Sequence, residues 1–224
     1  MNKELLRIYK VLYNHFGPQH WWPADTPFEV CVGAILTQNT AWQNVEKAIG
    51  NLKSKNLLDS HTINRLPRER LAELITPAGY FNIKAERLKN FITFLCGEYN
   101  GEVAQMFSNN SNNLRDSLLS IKGIGPETAD SILLYAGNVP IFVVDAYTKR
   151  IFHRLNLTPE DILYDDMQQL FMENLPLNTM LFNEYHALIV MLGKNYCKKK
   201  PLCEACPIKK CPFKKRFETE RVSK

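Results

Sequence analysis

Four cysteines fall within the last 28 residues of the 224-residue chain, spaced Cys197-x5-Cys203-x2-Cys206-x4-Cys211. Four thiolates in so short a segment can hold Zn²⁺ or a [4Fe–4S] cluster, and the spacing alone does not choose between them. A disordered basic tail is the alternative, and the cysteines together with Pro201, Pro207 and Pro212 weigh against it. A secreted disulfide framework would spread its cysteines behind an export signal, so a metal site is expected instead. Cys31 and Cys96 stand alone in apolar contexts and are expected to be small buried hydrophobes. Upstream lies Gly123-Ile124-Gly125-Pro126, between two helical runs. Its glycines allow a tight turn and close backbone approach, and the following helix offers free N–H groups to an anion such as phosphate. The same residues also describe an ordinary αα-hairpin. Asp145, ahead of Ala146-Tyr147-Thr148-Lys149-Arg150, is a good helix N-cap, and a helix N-terminus favours the ionised form of such a carboxylate. Trp21, Trp22 and Trp42 can be core residues or electron-rich rings for a flat ligand.

The elements that must position these groups read as helix after helix. Leu5, Leu6, Ile8, Tyr9 and Leu12 recur at helical spacing over Asn2–His15. Thr26 and Pro27 form a capped start for Phe28–Leu36, which is apolar nearly all round and is expected to be central and buried. Further helices are predicted over Ala41–Leu52, after Pro67, over Asn82–Phe94 (with Lys84, Glu86, Arg87 and Lys89 on its polar side), Leu114–Ile121, Pro126–Tyr135, Asp145–Leu155, Asp165–Asn174 and Leu181–Leu192. Asn109–Asn113 reads as a polar loop, and Ile141–Val144 is the one strand-like run. The prediction is an all-α protein of about ten helices.

Charge is uneven. The formal net charge is +5, yet residues 194–224 carry 11 Lys and Arg against 3 Asp and Glu, so the preceding 193 residues are slightly acidic. Disordered and low-complexity classes are excluded by 45% hydrophobic content. No apolar run reaches the roughly 18–20 residues of a membrane span. The amphipathic start shows no signal peptide, so a cytoplasmic location is expected.

Leu119-Ser120-Ile121-Lys122-Gly123-Ile124-Gly125-Pro126-Glu127-Thr128-Ala129, then Val143-Val144-Asp145, then the cysteine segment, resemble in order and spacing the helix-hairpin-helix DNA glycosylases of the endonuclease III superfamily. Phe28–Thr40 and Gly79-Tyr80-Phe81-Asn82-Ile83-Lys84-Ala85 match two further blocks of that family. The resemblance implies a two-lobed all-α fold: a helical barrel over about 26–139 carrying the hairpin, and a cluster domain from about 1–25 and 140–224. DNA is then expected across the cleft, with Asp145 as the catalytic aspartate. It also implies a [4Fe–4S] cluster on Cys197, Cys203, Cys206 and Cys211, although each outer loop is one residue shorter than the family pattern; zinc is the alternative. The loop Lys198-Lys199-Lys200 would then face phosphates, together with Lys122, Gly123, Gly125, Lys149 and Arg150. Gln38 or Asn39 would fill the gap left by a flipped base.

Where bifunctional members carry the lysine that attacks the sugar, this chain has Glu127, which cannot form a Schiff base. That departure implies a monofunctional enzyme using water. Trp22-Pro23 and Leu36-Thr37-Gln38-Asn39-Thr40-Ala41-Trp42 resemble the endonuclease III-type 3-methyladenine DNA glycosylases, in which Trp22 and Trp42 would line the base pocket. That branch is usually described without the cluster, so features are mixed. The expected activity is hydrolysis of the N-glycosidic bond of a damaged, alkylated base in double-stranded DNA by a monomer. The alternatives are an oxidised-pyrimidine, uracil or mismatch glycosylase with AP-lyase activity, and a catalytically silent DNA-binding protein.

Overall fold

The computed structural model describes residues 1–108 and 113–214. The expected polar loop at 109–113, except Asn113, and the last ten residues of the basic segment lie outside the described residues. Among the described residues there are twelve α-helices and no strand. The chain divides into two compact units, Trp22–Val139 and Met1–Trp21 with Pro140–Lys224. The first boundary thus falls four residues before the predicted 25/26, placing Trp21 and Trp22 in different units.

Helix α1 (Asn2–Phe16) opens the discontinuous unit. The continuous unit holds α2 (Pro27–Leu36), α3 (Trp42–Lys53), α4 (Ser60–Arg65), α5 (Arg68–Leu74), α6 (Phe81–Tyr99), α7 (Val103–Ser108), α8 (Leu114–Ser120) and α9 (Pro126–Ser131). As its composition suggests, α2 is the central element. The Thr26 hydroxyl caps it by accepting from the Glu29 amide at 3.1 Å, and every residue from Glu29 to Leu36 is buried. It contacts α3, α6 and the segment after α9. The predicted single helix over Pro126–Tyr135 breaks: after Ser131 the chain widens into one π turn, Ile132–Ala136. The discontinuous unit is completed by α10 (Ala146–Arg154), α11 (Tyr164–Asn174) and α12 (Thr179–Asn195). Its core is aromatic: Phe142 stacks on Phe171 at 3.8 Å, with Phe182 and Tyr185 edge-on to Phe142.

The one strand-like run forms no strand, in keeping with the all-α prediction, and two expectations are corrected. Ile141–Val144 is extended chain without a strand partner among the described residues, and its apolar side chains Phe142, Val143 and Val144 fill the core. The six-residue helices α4 and α7 were not predicted, because so short a segment shows less than two turns of periodicity. Lys84 is not on a solvated face of α6: it is 1% exposed, and its ammonium donates to the carbonyls of Leu36 at 2.9 Å and Ala78 at 2.7 Å. Those carbonyls terminate α2 and a 3₁₀ turn (Thr76–Ala78), where free acceptors and the negative dipole end favour a cation. Burial, with Arg87 nearby, lowers the ammonium to about 8. Lys89 serves α4 in the same way, donating to the carbonyls of Ile63, Asn64 and Leu66.

Lys84→Met keeps the apolar stem and orphans two buried carbonyls. At about 1–3 kcal/mol for each unsatisfied group, the variant is expected to lose about 2–4 kcal/mol in urea unfolding.

Candidate functional site

In the continuous unit, three loops are tied together by side chains of α6. The Leu36 and Ala78 carbonyls held by Lys84 immediately precede two turns, Thr37–Thr40 and Gly79–Tyr80. In the first turn, Gln38 donates through Nε2 to the Gly123 carbonyl at 3.2 Å and to Thr128 Oγ1 at 2.9 Å, while its Oε1 accepts from Arg87. Gln38 is therefore a bracket between this turn and the glycine hairpin. Asn39 is exposed and takes a left-handed backbone, φ +54°. In the second turn Tyr80 is 70% exposed and also left-handed, φ +46°, a conformation uncommon outside glycine. Sequence reasoning missed Tyr80; its signal was an aromatic immediately after a glycine at a helix start.

The hairpin joins α8 to α9. Gly123 has φ +98°, and a Cβ there would collide with the Arg87 side chain, so the position requires glycine twice over. Asn90 donates to the Lys122 carbonyl at 2.9 Å, and the Lys122 ammonium, on an 84% exposed side chain, pairs with Glu86 at 2.8 Å. Gly125 caps α9, with Pro126 in its first position. Glu127 is exposed in the first turn. Behind the hairpin, Arg115 makes a bidentate pair with the fully buried Asp130, at 2.7 and 3.1 Å.

Trp22 and Trp42 meet edge to face at 5.0 Å, and Tyr135 lies 5.0 Å from Trp22 on its other contact. All three rings are half-buried. Trp22 and Trp42 stand over Gly33 of α2, where a Cβ would sit 3.2–3.3 Å from both. Tyr135 was not anticipated. It projects from the π turn, and no sequence pattern announces where a helix will widen; such turns are frequent at functional sites.

In the second unit, Asp145 caps α10. Its Oδ1 accepts from the Thr148 amide and hydroxyl, each at 2.7 Å. Its Oδ2 lies 3.7 Å from Nε2 of His186 on α12. Burial pushes this carboxyl up, but His186 and the Thr148 hydrogen bonds outweigh burial and hold it below the ordinary aspartate value. The two readings of Asp145 coexist: it is both a helix cap and a sequestered, ionised carboxylate. His186 was missed because a lone histidine in an apolar helix carries no local signal.

Cys197, Cys203, Cys206 and Cys211 line one cavity with Arg154, Pro201, Ile208 and Phe213, and none is in a disulfide. Among the described residues, no three His, Cys, Asp or Glu side chains converge as ligands of a single metal ion. The donor set nevertheless fits a thiolate-held group: four sulfurs around a shared hollow, with the Ile208 amide donating to Cys206 and Arg154 donating to Cys197 Sγ at 3.3 Å. Burial and the three neighbouring thiols push Cys206 up to about 11, a cost that a bound cationic centre would offset. Arg154 also donates to the carbonyls of Lys198 and Lys199, at 2.7 and 3.1 Å, and stacks on Phe213. The backbone of the lysine loop is thus clamped while Lys198, Lys199 and Lys200 remain exposed. Two other cations expected at phosphates are engaged inside the unit. Lys149 donates to the Ile162 carbonyl at 2.8 Å, and Arg150 donates to the Cys197 carbonyl at 2.9 Å and lies over Tyr147.

Helices without strands among the described residues, a glycine hairpin, and a capped, largely covered aspartate after it are the features of the helix-hairpin-helix DNA glycosylase class. Residues 32–177 match the family of HhH-GPD superfamily base excision DNA repair proteins, and the chain belongs to that family. It is 51% identical to a Methanocaldococcus jannaschii protein provisionally named a DNA repair glycosylase, over 92% of this chain and 94% of that one. It is 30% identical to endonuclease III of Thermotoga maritima, over 85% and 84%. Among solved structures, it resembles the H. pylori 3-methyladenine DNA glycosylase bound to 1,N6-ethenoadenine, with TM-score 0.73, 29% identity, and 85% and 97% coverage. It also shares the fold of a non-covalent endonuclease III–DNA complex, with TM-score 0.82, 23% identity, and 97% and 99% coverage.

Asp145 ionises more readily folded than unfolded, where its value is about 3.9. Its contribution to stability is therefore present above about pH 4 and lost as pH falls through the lower folded value. In urea unfolding at successive pH values, the stability gap between the wild type and Asp145→Asn is expected to close towards acid.

Proposed function

We propose that this DNA glycosylase is monofunctional and removes N-alkylated purines from double-stranded DNA, with water as the nucleophile. The observation that carries the reading is the aromatic cluster in which Trp22 and Trp42 stand over Gly33 and Tyr135 packs on Trp22. Three electron-rich rings suit an extruded base that alkylation has made cationic or electron-poor, through stacking and cation–π attraction. The H. pylori structure, whose own ligand is a modified adenine, supports the same substrate class.

In the proposed reaction the C1′–N bond breaks with its electron pair passing to the purine, which cancels the positive charge on an alkylated base. The sugar becomes cationic, and the Asp145 carboxylate stabilises that charge and orients water. The water oxygen bonds to C1′ and its proton passes to Asp145 or to solvent. Asn39 and Tyr80, on turns pinned by Lys84, are proposed to enter the duplex where the base has left it, and Gln38 to hold the turn rather than enter DNA. Gly123 and Gly125 would approach a phosphate through backbone amides, with Lys122 beside them, while Lys198, Lys199 and Lys200 supply salt-sensitive attraction. The four cysteines would hold a [4Fe–4S] cluster, with zinc as the alternative; either would cross-link the lysine loop, and no reaction step passes through it.

A second reading, a pyrimidine-lesion enzyme with a lyase step, draws on the kinship with endonuclease III. Glu127 weighs against it, since a carboxylate cannot form a Schiff base, and Lys122 is paired with Glu86.

The test is a set of duplex oligonucleotides, each with one alkylated purine, oxidised pyrimidine, uracil or mismatch. Release is expected from alkylated purines, and loss of at least about a hundredfold in rate in Asp145→Asn, which still caps α10. Trp22→Ala is expected to lose the same activity while DNA affinity stays within a few fold. Borohydride is expected to trap no covalent adduct; a trapped adduct, or release of pyrimidines alone, overturns the reading. Neutralising Lys198, Lys199 and Lys200 together is expected to weaken binding and to flatten the log–log salt dependence by about 0.9 for each phosphate that the lysines no longer neutralise. Iron and sulfide analysis of the purified protein decides the metal: a cluster gives brown protein with both elements, zinc a colourless one with neither.

A further inference from the structure

The reaction proposed above uses one residue of the second unit, Asp145, and leaves the buried histidine facing it without a task. The two carboxylate oxygens of Asp145 are held differently. Oδ1 accepts from the Thr148 amide and hydroxyl, each at 2.7 Å, and the Asp145 amide closes the capping box by donating to Thr148 Oγ1 at 3.5 Å. Oδ2 faces His186 Nε2 at 3.7 Å, a longer and looser contact than the two that hold Oδ1. The side chains of His186 and Asp145 are 8% and 11% exposed, so their interaction is weakly screened.

We propose that His186 is the positioning residue of Asp145, orienting Oδ2 towards the reacting sugar and keeping the carboxylate negative. This inference rests on the glycosylase role of Asp145. A helix cap alone needs only Oδ1 and Thr148; asparagine or serine would do as well. A buried histidine aimed at the other oxygen adds nothing to capping. It is what a carboxylate needs when one oxygen must stay ionised, aimed and available in a site that burial would otherwise neutralise.

The surrounding charges do not share this task. On α10, Lys149 is directed at the Ile162 carbonyl and Arg150 at the Cys197 carbonyl. On α12, Tyr185 donates to the Leu5 carbonyl, and Glu184 accepts from the Gln19 amide. From α11, the Tyr164 hydroxyl accepts from the Val144 amide at 3.4 Å. After burial, which raises the carboxyl, the largest influence on Asp145 comes from His186, which lowers it.

Two measurements test the proposal. The first needs no DNA: carbon-detected NMR titration of the aspartate carboxyls, with Asp145 assigned by the signal lost in Asp145→Asn. In His186→Gln, which keeps a neutral donor, and in His186→Leu, the Asp145 midpoint is expected to rise by about one pH unit or more. The second is single-turnover release of whichever lesion the wild type removes fastest, followed against pH. The acidic limb is expected to move up by the same amount in both variants. At neutral pH His186→Leu is expected to be slower by about tenfold or more, with His186→Gln recovering most of that loss. A purely structural histidine would change thermal stability without moving either midpoint. An unchanged Asp145 midpoint in the folded Gln variant overturns the proposal. If the wild type releases no lesion while the NMR midpoint still moves, the glycosylase role of Asp145 fails and the pairing stands.

Discussion

A buried lysine ammonium is the constraint on which the continuous unit's candidate site depends. A cation taken out of water must find acceptors, and Lys84 finds two at helix ends, the carbonyls of Leu36 and Ala78. Each is the last residue before a turn, so satisfying one cation brings the turns of Asn39 and Tyr80 side by side. The same helix continues the work one and two turns on. Arg87 holds Gln38 and excludes a side chain at Gly123, and Asn90 holds the carbonyl of Lys122. One helix face therefore registers three loops against each other. Both Asn39 and Tyr80 sit at positive φ, a strained choice that persists only where neighbours over-determine it.

The second unit relies on one helix in a comparable way. Helix α10 begins at Asp145 and ends at Arg154, which reaches Cys197 Sγ and the carbonyls of the lysine loop. The Asp145 carboxylate and the arginine that reaches the cysteine segment thus stand at opposite ends of a single helix of nine residues. The formal charge of +5 acquires a location from this: three exposed lysines on a clamped loop, their backbone fixed and their ammonium groups free to meet an anionic surface.

Much of the fold was legible in the residues. Apolar spacing marked the long helices, the all-round apolar stretch before Leu36 marked the buried one, and Thr26 and Asp145 marked helix starts that the structure shows as side-chain caps. These are local properties, set by backbone sterics, capping and periodicity within a few residues. The short helices were not legible because less than two turns carry too little pattern. Lys84 was misplaced because helical periodicity reports which face is apolar, not which buried carbonyls await a donor.

The sequence by itself determined the helical class, the glycine hairpin, the four-cysteine segment and the substitution of glutamate for lysine at position 127, since each is a matter of residue identity and spacing. Only the tertiary structure distinguishes Gln38 from Asn39, holding the first in a hydrogen bond to the Gly123 carbonyl, 85 residues away, and leaving the second exposed. It alone added Tyr135 to the two tryptophans and His186 to Asp145. A π turn and a contact between α10 and α12 place those side chains, and neither follows from the residues immediately around them. Long-range packing, which no short stretch of chain encodes, converts separately readable residues into a site.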